Sequence, residues 1–517
     1  MQKFVGYKWL SDRAGFVHYG HFHTSAIGGR LKTDIDKNGN VTNYFTSVYS
    51  PDDNIFSHIE FALKYEGINF SILKYTFNSI ARSDLTQYIE NTPSGKYTRQ
   101  MGFLYEMLIG RLYDSAPPVT GNYVDVADGG LYVLPNGVAN TRWRVNNNLT
   151  GNSNFCPLVR KTDVIKSFLN KDFSLLMNNA FENVSPEIYS RAVNYFYFKE
   201  TKSSNDIERD DANPARQELF VHLLRSAGSV DIAERLSMSG LVKCQNAIAD
   251  KRFHNNAFRE NQNYVGGSPY YGGREIVHLI GMPPQHLKSV MQGLVDFSAT
   301  SHGMNTVIRA ACLSFGFVFI HPFEDGNGRI HRFLINDVLA NDGLLSKGIV
   351  LPISAIILSQ PHEYDAVLEE FSKKLMLNAE YDINDAGEIH VENADVIQDF
   401  YRFPDMTKQA EYLFDVVEKT ITNEMVREFG IIQSFDHFRS GARNIVDMPD
   451  RLLEQMMGFI HQNNGKLSKA KRTRFSMITD EEIALIEKVY ENSFQRNAVP
   501  NDGEQLSSIN SASNSGM

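Results

Sequence analysis

Cysteine is scarce in this chain of 517 residues, which has only Cys156, Cys244 and Cys312. The three lie far apart in the sequence, so they offer neither a disulfide framework nor a paired zinc motif. Such cysteine usage is typical of a reducing compartment, and we expect a cytoplasmic protein.

Long apolar runs and an excess of positive charge are also missing. No stretch approaches the roughly 20 apolar residues of a membrane span, and the first residues lack the apolar run of a secretory signal. The formal net charge is −10. The composition therefore predicts a soluble protein without a membrane partner, and it argues against a general affinity for nucleic acid.

Changes in composition and in the spacing of apolar residues along the chain predict four consecutive segments. Residues 1–175 mix aromatic, glycine and asparagine residues with short alternating runs, which indicates an α+β domain of unassigned role. Residues 176–375 carry apolar residues at helical spacing, as in Ile188, Ala192, Tyr195 and Phe196. Residues 376–492 are expected to be mainly helical, with a winged-helix-like arrangement as one alternative, and 493–517 a disordered tail. Thr479 and Glu482 form a capping-box pattern, which predicts that a last helix begins there. The predicted fold class is mainly α, and α+β overall.

The segment HPFEDGNGRIHR, from His321 to Arg332, concentrates residues that suit phosphate chemistry. Before it, residues 305–320 are almost wholly apolar, which predicts a buried helix that leads into the segment. After it, apolar residues recur at helical spacing from Ile330 to Leu339. The segment is therefore expected to be a loop followed by a helix N-terminus.

Gly326, Asn327 and Gly328 occupy the middle of this segment. Because these residues tolerate left-handed backbone conformations, successive N–H groups can converge on an anion, and the adjoining helix dipole also favours negative charge. Arg329 and Arg332 share one face of the helix, opposite its apolar residues, where two guanidinium groups could hold further oxygens. The pattern predicts a polyphosphate site.

Asp325 and His321 supply the remaining chemistry. A Mg²⁺ ion is usually held by one or two carboxylates together with substrate phosphates, so Asp325 is the predicted magnesium ligand. A neutral imidazole at His321 could accept the proton of an incoming hydroxyl group as it attacks phosphorus. Each residue alone has a structural explanation, but twelve residues in this register favour a functional one.

The segment matches the motif H-x-F-x-(D/E)-G-N-G-R-x-x-R throughout, and the chain therefore resembles the Fic (Fido) family. That resemblance implies an all-helical catalytic core with a β-hairpin flap. It also implies Mg-ATP as co-substrate and transfer of AMP to a serine, threonine or tyrosine hydroxyl of a target protein. His321 would be the base, Asp325 the metal ligand, and Gly326–Gly328 with Arg329 and Arg332 the phosphate contacts.

The resemblance also suggests residues outside the motif. The segment NYVGGSPYYGG is similar to the family's flap, which holds the target by strand addition, and Val265, Gly266, Gly267 and Ser268 would line the nucleotide. An ordinary glycine-rich turn is the alternative. Tyr364 is similar to tyrosines near the adenine, although a tyrosine at helical spacing is more often part of a core.

A second motif of the family, (S/T)-x-x-x-E-(G/N), belongs to an inhibitory helix. Ser204 to Arg209 match it except at the last residue, Arg209. Glu208 could pair with Arg332 and take the place of the γ-phosphate, since carboxylate and guanidinium groups suit bidentate pairing. A solvated glutamate in a charged stretch is the alternative.

Three functional alternatives stay open at this point. The protein could add AMP to a target, which could be another protein or the chain itself, or remove AMP from a modified protein at the same site. It could also be a binding or regulatory protein whose nucleotide site is vestigial. A homo-oligomer and a nucleic-acid contact by the basic cluster at Lys466, Lys469, Lys471, Arg472 and Arg474 are further open questions.

Overall fold

A computed structural model describes residues 3–15, 23–35, 41–182, 184–267, 276–384 and 386–494. The fold is mainly helical, as predicted. The helices are α1 (Tyr7–Ala14), α2 (Ile55–Tyr65), α3 (Phe70–Ser79), α4 (Arg82–Asn91), α5 (Lys96–Leu108), α6 (Asp163–Leu169), α7 (Phe173–Phe181), α8 (Pro186–Ile207), α9 (Pro214–Arg225), α10 (Ile232–Leu236), α11 (Met238–Ile248), α12 (Pro284–Thr300), α13 (Thr306–Ile320), α14 (Asn327–Asn341), α15 (Ile353–Ser359), α16 (Pro361–Asn378), α17 (Ala394–Arg402), α18 (Thr407–Lys419), α19 (Val426–Ile445), α20 (Asp450–Gln462), α21 (Lys469–Arg472) and α22 (Asp480–Phe494).

The β-structure is confined to short strands. They are β1 (Lys3–Val5), β2 (His23–Ile27), β3 (Lys32–Ile35), β4 (Val41–Phe45), β5 (Val124–Asp125), β6 (Val138–Asn140), β7 (Val145–Asn147), β8 (Tyr264–Gly267), β9 (Ile276–Ile280), β10 (Tyr381–Ile383) and β11 (Ile389–Val391). One sheet has the order β1-β2-β4-β3, in which β2 and β4 are parallel, and another has the order β5-β7-β6. The pairs β8–β9 and β10–β11 are antiparallel.

The chain folds into two compact units that interleave in sequence. The first contains Met1–Asn170, Val230–Leu339 and His362–Phe414, and the second contains Lys171–Ser229, Ala340–Pro361 and Asp415–Met517. This division differs from the four consecutive domains predicted above, whose boundaries stay a prediction. The whole motif belongs to the first unit, whereas Ser204 and Glu208 belong to the second.

In the first unit, the predicted α+β character of the N-terminal part is confirmed. Its core forms around Trp143, whose indole N–H donates to Glu106 at 2.8 Å. A Cβ atom at Gly102 would lie 2.0 Å from the Trp143 ring, so a glycine is required on α5 where it meets the indole. Tyr132 forms an isolated antiparallel bridge with Arg160 and belongs to none of the strands.

In the second unit, α8 confirms the helical pattern read from the sequence. Ala192, Tyr195 and Phe196 are buried along one side of this helix. It begins at Ser185, whose side chain accepts a hydrogen bond from the N–H of Ile188 at 3.3 Å. Pro186 follows as the first helical residue, where its fixed φ angle is favourable.

The C-terminal part of this unit packs α19, α20 and α22 around its own apolar core. Thr479 and Glu482 form the predicted capping box at the start of α22, with their reciprocal hydrogen bonds at 3.2 and 2.8 Å. Within the predicted segment 376–492, β10 and β11 precede α17, and none of the residues from 394 to 494 is in a strand. The winged-helix alternative stays a prediction. Residues 493 and 494 belong to α22, and the rest of the predicted tail lies outside the described residues.

Among the helices described, none has the length together with the apolar character that crossing a bilayer requires.

Candidate active site

The helix α13 carries His321 into the site. Asn305 begins it, and the Asn305 side chain accepts hydrogen bonds from the N–H groups of Val307 and Ile308 at 3.0 and 3.3 Å. Residues 307–320 are all buried, which confirms the predicted buried helix. His321 ends the helix in a left-handed conformation, with φ 56° and ψ 61°. That conformation costs a residue other than glycine about 1 kcal/mol, so surrounding contacts must hold it.

The imidazole of His321 has a defined tautomer. Its Nδ1 atom lies 3.0 Å from the carbonyl oxygen of Val318. A carbonyl group only accepts hydrogen bonds, so Nδ1 carries the proton and the acceptor lone pair belongs to Nε2. The side chain is half-buried at the end of α13. A neutral ring in this tautomer has the form that a general base needs.

The loop after His321 is fixed by the side chain of Asn327. The Asn327 amide accepts a hydrogen bond from the Phe323 N–H at 3.1 Å and donates one to the Phe323 carbonyl at 2.7 Å. Phe323 is fully buried and packs edge-on against Phe258, with ring centroids 5.6 Å apart. The part of Asn327 that suits an anion is therefore its backbone N–H.

Gly326 lies where the loop turns into α14. Its φ angle is 91°, in the region that favours glycine. A Cβ atom there would meet no atom closer than 3.9 Å, so the glycine is needed for its backbone conformation and not for space. The helix begins at Asn327, and the first N–H groups of a helix lack intrahelical acceptors. Gly326, Asn327 and Gly328 therefore lie at a helix N-terminus, as predicted.

Arg329 and Arg332 lie in the first two turns of α14. Both are buried, with exposed fractions of 3% and 0%. Every residue from 329 to 340 is buried, so neither side of this helix is exposed to solvent. That the two arginines share a face opposite the apolar residues stays a prediction. Two buried guanidinium groups beside a helix N-terminus favour phosphate as a ligand.

Asp325 is the carboxylate nearest this N-terminus in the sequence. Its side chain is 46% exposed and pairs with Arg329 at 3.1 Å. No group of three or more histidine, cysteine or acidic side chains that could hold a metal occurs among the described residues. One accessible carboxylate fits Mg²⁺, because this ion commonly takes its other ligands from phosphates and water.

The predicted flap is present as the hairpin of β8 and β9. Gly266 pairs with Val277 and Gly267 with Ile276, after a bulge between Val265 and Gly266. Val265 is 40% exposed, and both glycines are exposed. Ser268 lies outside the described residues.

Tyr364, on α16, is 7% exposed and packs beside the ring of His331, with centroids 6.1 Å apart. His331 lies within the motif and is completely buried. Burial lowers the pKa of His331 to about 3, so the ring is neutral. These contacts favour the core-packing explanation of Tyr364.

Ser204 and Glu208 lie at the end of α8. Ser204 is fully buried, whereas Glu208 is exposed and caps the helix. The N–H of Arg209 donates to Asp206 and that of Asp210 donates to Asn205, at 3.1 and 3.0 Å. This pattern is a Schellman motif, whose left-handed residue is usually glycine or asparagine. Arg209 occupies that position with a φ of 53°, so the departure from the family motif falls on a residue whose backbone keeps the expected conformation.

Three side chains that the sequence analysis did not single out hold the loop. Arg259 donates to the His321 carbonyl at 2.8 Å, and Asn263 donates to the Phe323 carbonyl at 3.0 Å. Gln245 lies 3.5 Å from the Asp325 carbonyl. Arg259 and Asn263 lie in the polar segment FRENQN, which has no periodic pattern and no motif that predicts these contacts. The only signal in the sequence is that this segment directly precedes the flap.

Comparison with known families agrees with this geometry. Residues 236–339 match the model described as Fic/DOC family, a range that runs from the end of α10 through most of α14. The chain contains a Fic/DOC domain. That domain includes the motif, the flap strands and all three loop-holding side chains.

Curated relatives of the Fic/DOC domain carry the name "Protein adenylyltransferase Fic". The protein of Drosophila sechellia is 38% identical over 86 residues, which are 17% of this chain and 16% of the relative. That of Drosophila mojavensis is 38% identical over 88 residues, 17% of this chain and 15% of the relative. The chain thus matches less than a fifth of the length of these relatives.

Solved structures with Fic domains are also similar. A Fic family protein from Desulfovibrio desulfuricans has a TM-score of 0.36 and 14% identity, covering 65% of this chain and 89% of that one. A Fic domain containing signaling protein from Bacteroides thetaiotaomicron has a TM-score of 0.34 and 18% identity, covering 50% of this chain and 97% of that one.

Proposed function

We propose that this protein is an adenylyltransferase that moves AMP from Mg-ATP to a serine, threonine or tyrosine hydroxyl of a target protein. The observation that carries the proposal is the distance of 3.0 Å from Nδ1 of His321 to the Val318 carbonyl oxygen, which leaves Nε2 of the neutral ring as the acceptor. The glycine turn and helix N-terminus that suit a phosphate chain follow five residues later. The name of the fruit-fly relatives of the Fic/DOC domain supports the same chemistry.

In the proposed reaction, the target's hydroxyl oxygen bonds to the α-phosphorus of ATP while its proton passes to Nε2 of His321. The bond from the α-phosphorus to the oxygen that bridges to the β-phosphate breaks, and pyrophosphate leaves with that electron pair. The protonated imidazole then returns its proton to solvent. The product is a phosphodiester between AMP and the target side chain.

The phosphate contacts follow from the helix N-terminus. Backbone N–H groups of Gly326, Asn327 and Gly328 would bind the α- and β-phosphates, since helix N-termini attract anions. Arg329 and Arg332 would bind the outer phosphates through their guanidinium groups. Asp325 would hold Mg²⁺, which supplies charge neutralisation to the triphosphate.

The flap would present the acceptor. An exposed hairpin edge can bind an extended segment of a target through backbone hydrogen bonds. Val265, Gly266, Gly267 and Ser268 would border the nucleotide at the same hairpin. The target itself could be another protein or a second region of this chain.

We further propose that Glu208 inhibits the reaction by pairing with Arg332 in place of the γ-phosphate. The support is the match of Ser204 to Glu208 with the inhibitory motif and the Schellman ending that reproduces its backbone. Replacing Glu208 with glycine should then raise the rate of AMP transfer.

The same site supports a second reaction, removal of AMP from a modified protein with Glu208 orienting water. A non-catalytic regulatory protein with a vestigial nucleotide site is the alternative of another class. These three functions are distinguished by incubation with Mg²⁺ and ATP labelled at the α-phosphate. The wild type is compared with the His321→Ala and Glu208→Gly variants. Labelling of protein that requires His321 supports transfer, and loss of label from pre-modified protein supports removal. If neither labelling nor loss of label occurs, the result supports a vestigial site.

A further inference from the structure

The guanidinium group of Arg259 is surrounded by backbone carbonyl groups. Its Nε donates to His321 at 2.8 Å, its Nη1 to Asn261 at 2.7 Å and its Nη2 to Met282 at 2.5 Å. Its backbone N–H donates to the Pro322 carbonyl at 3.0 Å. One side chain, 7% exposed, therefore contacts the backbone of the base and of the segments on both sides of the flap.

The position of this cation relative to α13 is electrostatically favourable. The His321 carbonyl and the Ile320 carbonyl, the latter 3.5 Å from Nη2, form the C-terminal end of the helix. Cations are stabilising at that end, because it is the negative pole of the helix dipole. Burial lowers the pKa of Arg259 to about 10, so the group stays charged at neutral pH.

The carbonyl that Arg259 holds belongs to the strained residue itself. His321 keeps a positive φ angle, and the peptide that follows it sets its ψ angle. Fixing that peptide fixes the direction of the bond from Cα to Cβ, from which the imidazole extends. The hydrogen bond from Nδ1 to Val318 then restrains the two remaining torsions, χ1 and χ2.

The segment at the end of β9 also packs closely against Arg259 and its neighbours. The N–H of Met282 donates to the Ile320 carbonyl, and the N–H of Gly281 donates to the Asn263 carbonyl, both at 3.0 Å. A Cβ atom at Gly281 would lie 2.1 Å from Oδ1 of Asn263 and 2.8 Å from Nη2 of Arg259. The end of β9 can therefore lie against Arg259 only because residue 281 has no side chain.

We propose that Arg259 is a positioning residue that fixes the direction of the His321 imidazole relative to the flap. This inference rests on the proposed function, because the flap matters only if it presents the acceptor hydroxyl. The hydrogen bonds of the Arg259 guanidinium group go to backbone carbonyl groups, so it would act through the backbone of His321 and not by contact with the nucleotide or the acceptor. These hydrogen bonds hold the base and the flap in a fixed relative position, so a target hydroxyl bound at the flap would lie close to Nε2.

The first test separates positioning from binding. Full-length Arg259→Met should lower kcat for AMP transfer by about 100-fold, the loss that a misplacement of roughly 1 Å produces. The Kd for ATP, measured by calorimetry on the same variant, should stay within about twofold of the wild type, because the phosphate contacts lie elsewhere. Arg259→Lys should recover part of kcat, since it keeps the charge. Arg252→Met, which removes a side chain that is 79% exposed, is the matched control with unchanged kcat.

The second test does not depend on activity. In protein labelled with ¹⁵N-histidine, the His321 signal is assigned by its loss in His321→Ala, and its nitrogen shifts report the tautomer. Wild type and Arg252→Met should show the Nδ1-protonated form, and Arg259→Met a mixture of the two tautomers. Gly281→Ala, which crowds both Asn263 and Arg259 and keeps the arginine's charge, should give the same mixture. If Arg259→Met fails to fold, the tautomer is measured in Gly281→Ala instead.

An unchanged tautomer in folded Arg259→Met and Gly281→Ala would overturn the inference, as would loss of ATP affinity in parallel with kcat. If neither the wild type nor Glu208→Gly transfers AMP, the proposed function fails, and the tautomer measurement still decides whether Arg259 orients the ring.

Discussion

Nη2 of Arg329 lies 3.1 and 3.3 Å from the two carboxylate oxygens of Asp325, so the proposed metal ligand and a proposed phosphate ligand are ion-paired with each other. The guanidinium group is 3% exposed, whereas the carboxylate is 46% exposed. The exposed side of the Asp325 carboxylate is the part that would hold Mg²⁺. Arg329 can then contact the phosphates that accompany the metal.

Asp325→Asn should therefore raise the magnesium concentration needed for half-maximal AMP transfer by at least about tenfold, because a neutral amide is a weaker ligand for this hard cation. The measurement is the transfer rate at saturating ATP across a magnesium titration. Glu324→Gln, which removes the exposed carboxylate next to it, should leave the titration unchanged. Equal shifts in both variants would mean that general negative charge, and not Asp325, binds the metal.

Asn327→Asp should weaken ATP binding and the stability of the first unit. The amide donates to Phe323 through Nδ2, and a carboxylate would place an acceptor against that carbonyl. Loss of a buried donor of this kind costs about 1–3 kcal/mol. Thermal unfolding and the Kd for ATP check this, with Asn341→Asp at the end of α14 as the control. Unaltered values for Asn327→Asp would show that its side chain does not hold the loop.

The stability of the protein should fall in mild acid through His331. Burial lowers the pKa of His331 to about 3 in the folded state, below the ordinary histidine value of 6.5. The unfolded state therefore binds more protons between these values, and folding free energy is lost as pH falls from about 6.5 towards 3, by up to about 1.4 kcal/mol per pH unit.

His331→Leu should flatten that dependence. The free energy of unfolding in urea, measured at pH 7, 6 and 5, should decrease less in the variant than in the wild type. His222→Leu is the control, because His222 is exposed on α9. An identical acid dependence in wild type and His331→Leu would contradict the burial of a neutral ring at this position.

Arg209→Gly should stabilise the protein by about 1 kcal/mol, because it relieves a left-handed residue that glycine adopts without strain. The measurement is the midpoint of thermal unfolding. Lys202→Gly, on an exposed position inside α8, should instead destabilise by a similar amount, since glycine disfavours a helix interior. Destabilisation by both substitutions would argue that the side chain of Arg209 contributes more than its backbone strain costs.

The sequence was informative where short-range patterns determine structure. Apolar continuity predicted the buried helix that ends at His321, and the spacing of Thr479 and Glu482 predicted the capping box of α22. Gly326 followed from the need for a positive φ angle at the turn. These features depend on residues within a few positions of one another.

Features that depend on distant residues were not predictable. Arg259 donates a hydrogen bond to His321, which lies 62 positions later in the sequence. A single arginine in a polar segment has no periodic pattern that would predict this contact. The burial of Arg329 and Arg332 depends on the elements that enclose α14, which the helix's own sequence does not specify. The interleaved units likewise arise from pairings between segments far apart in the chain.

The most direct test of the account is transfer of label from ATP carrying ³²P at the α-phosphate, in the presence of Mg²⁺. The account predicts labelled protein with Glu208→Gly, less with the wild type, and none with the double variant Glu208→Gly, His321→Ala. Label that persists in the double variant, or its absence from Glu208→Gly in the presence of the native target, would contradict the role of His321 as the base of an AMP transfer.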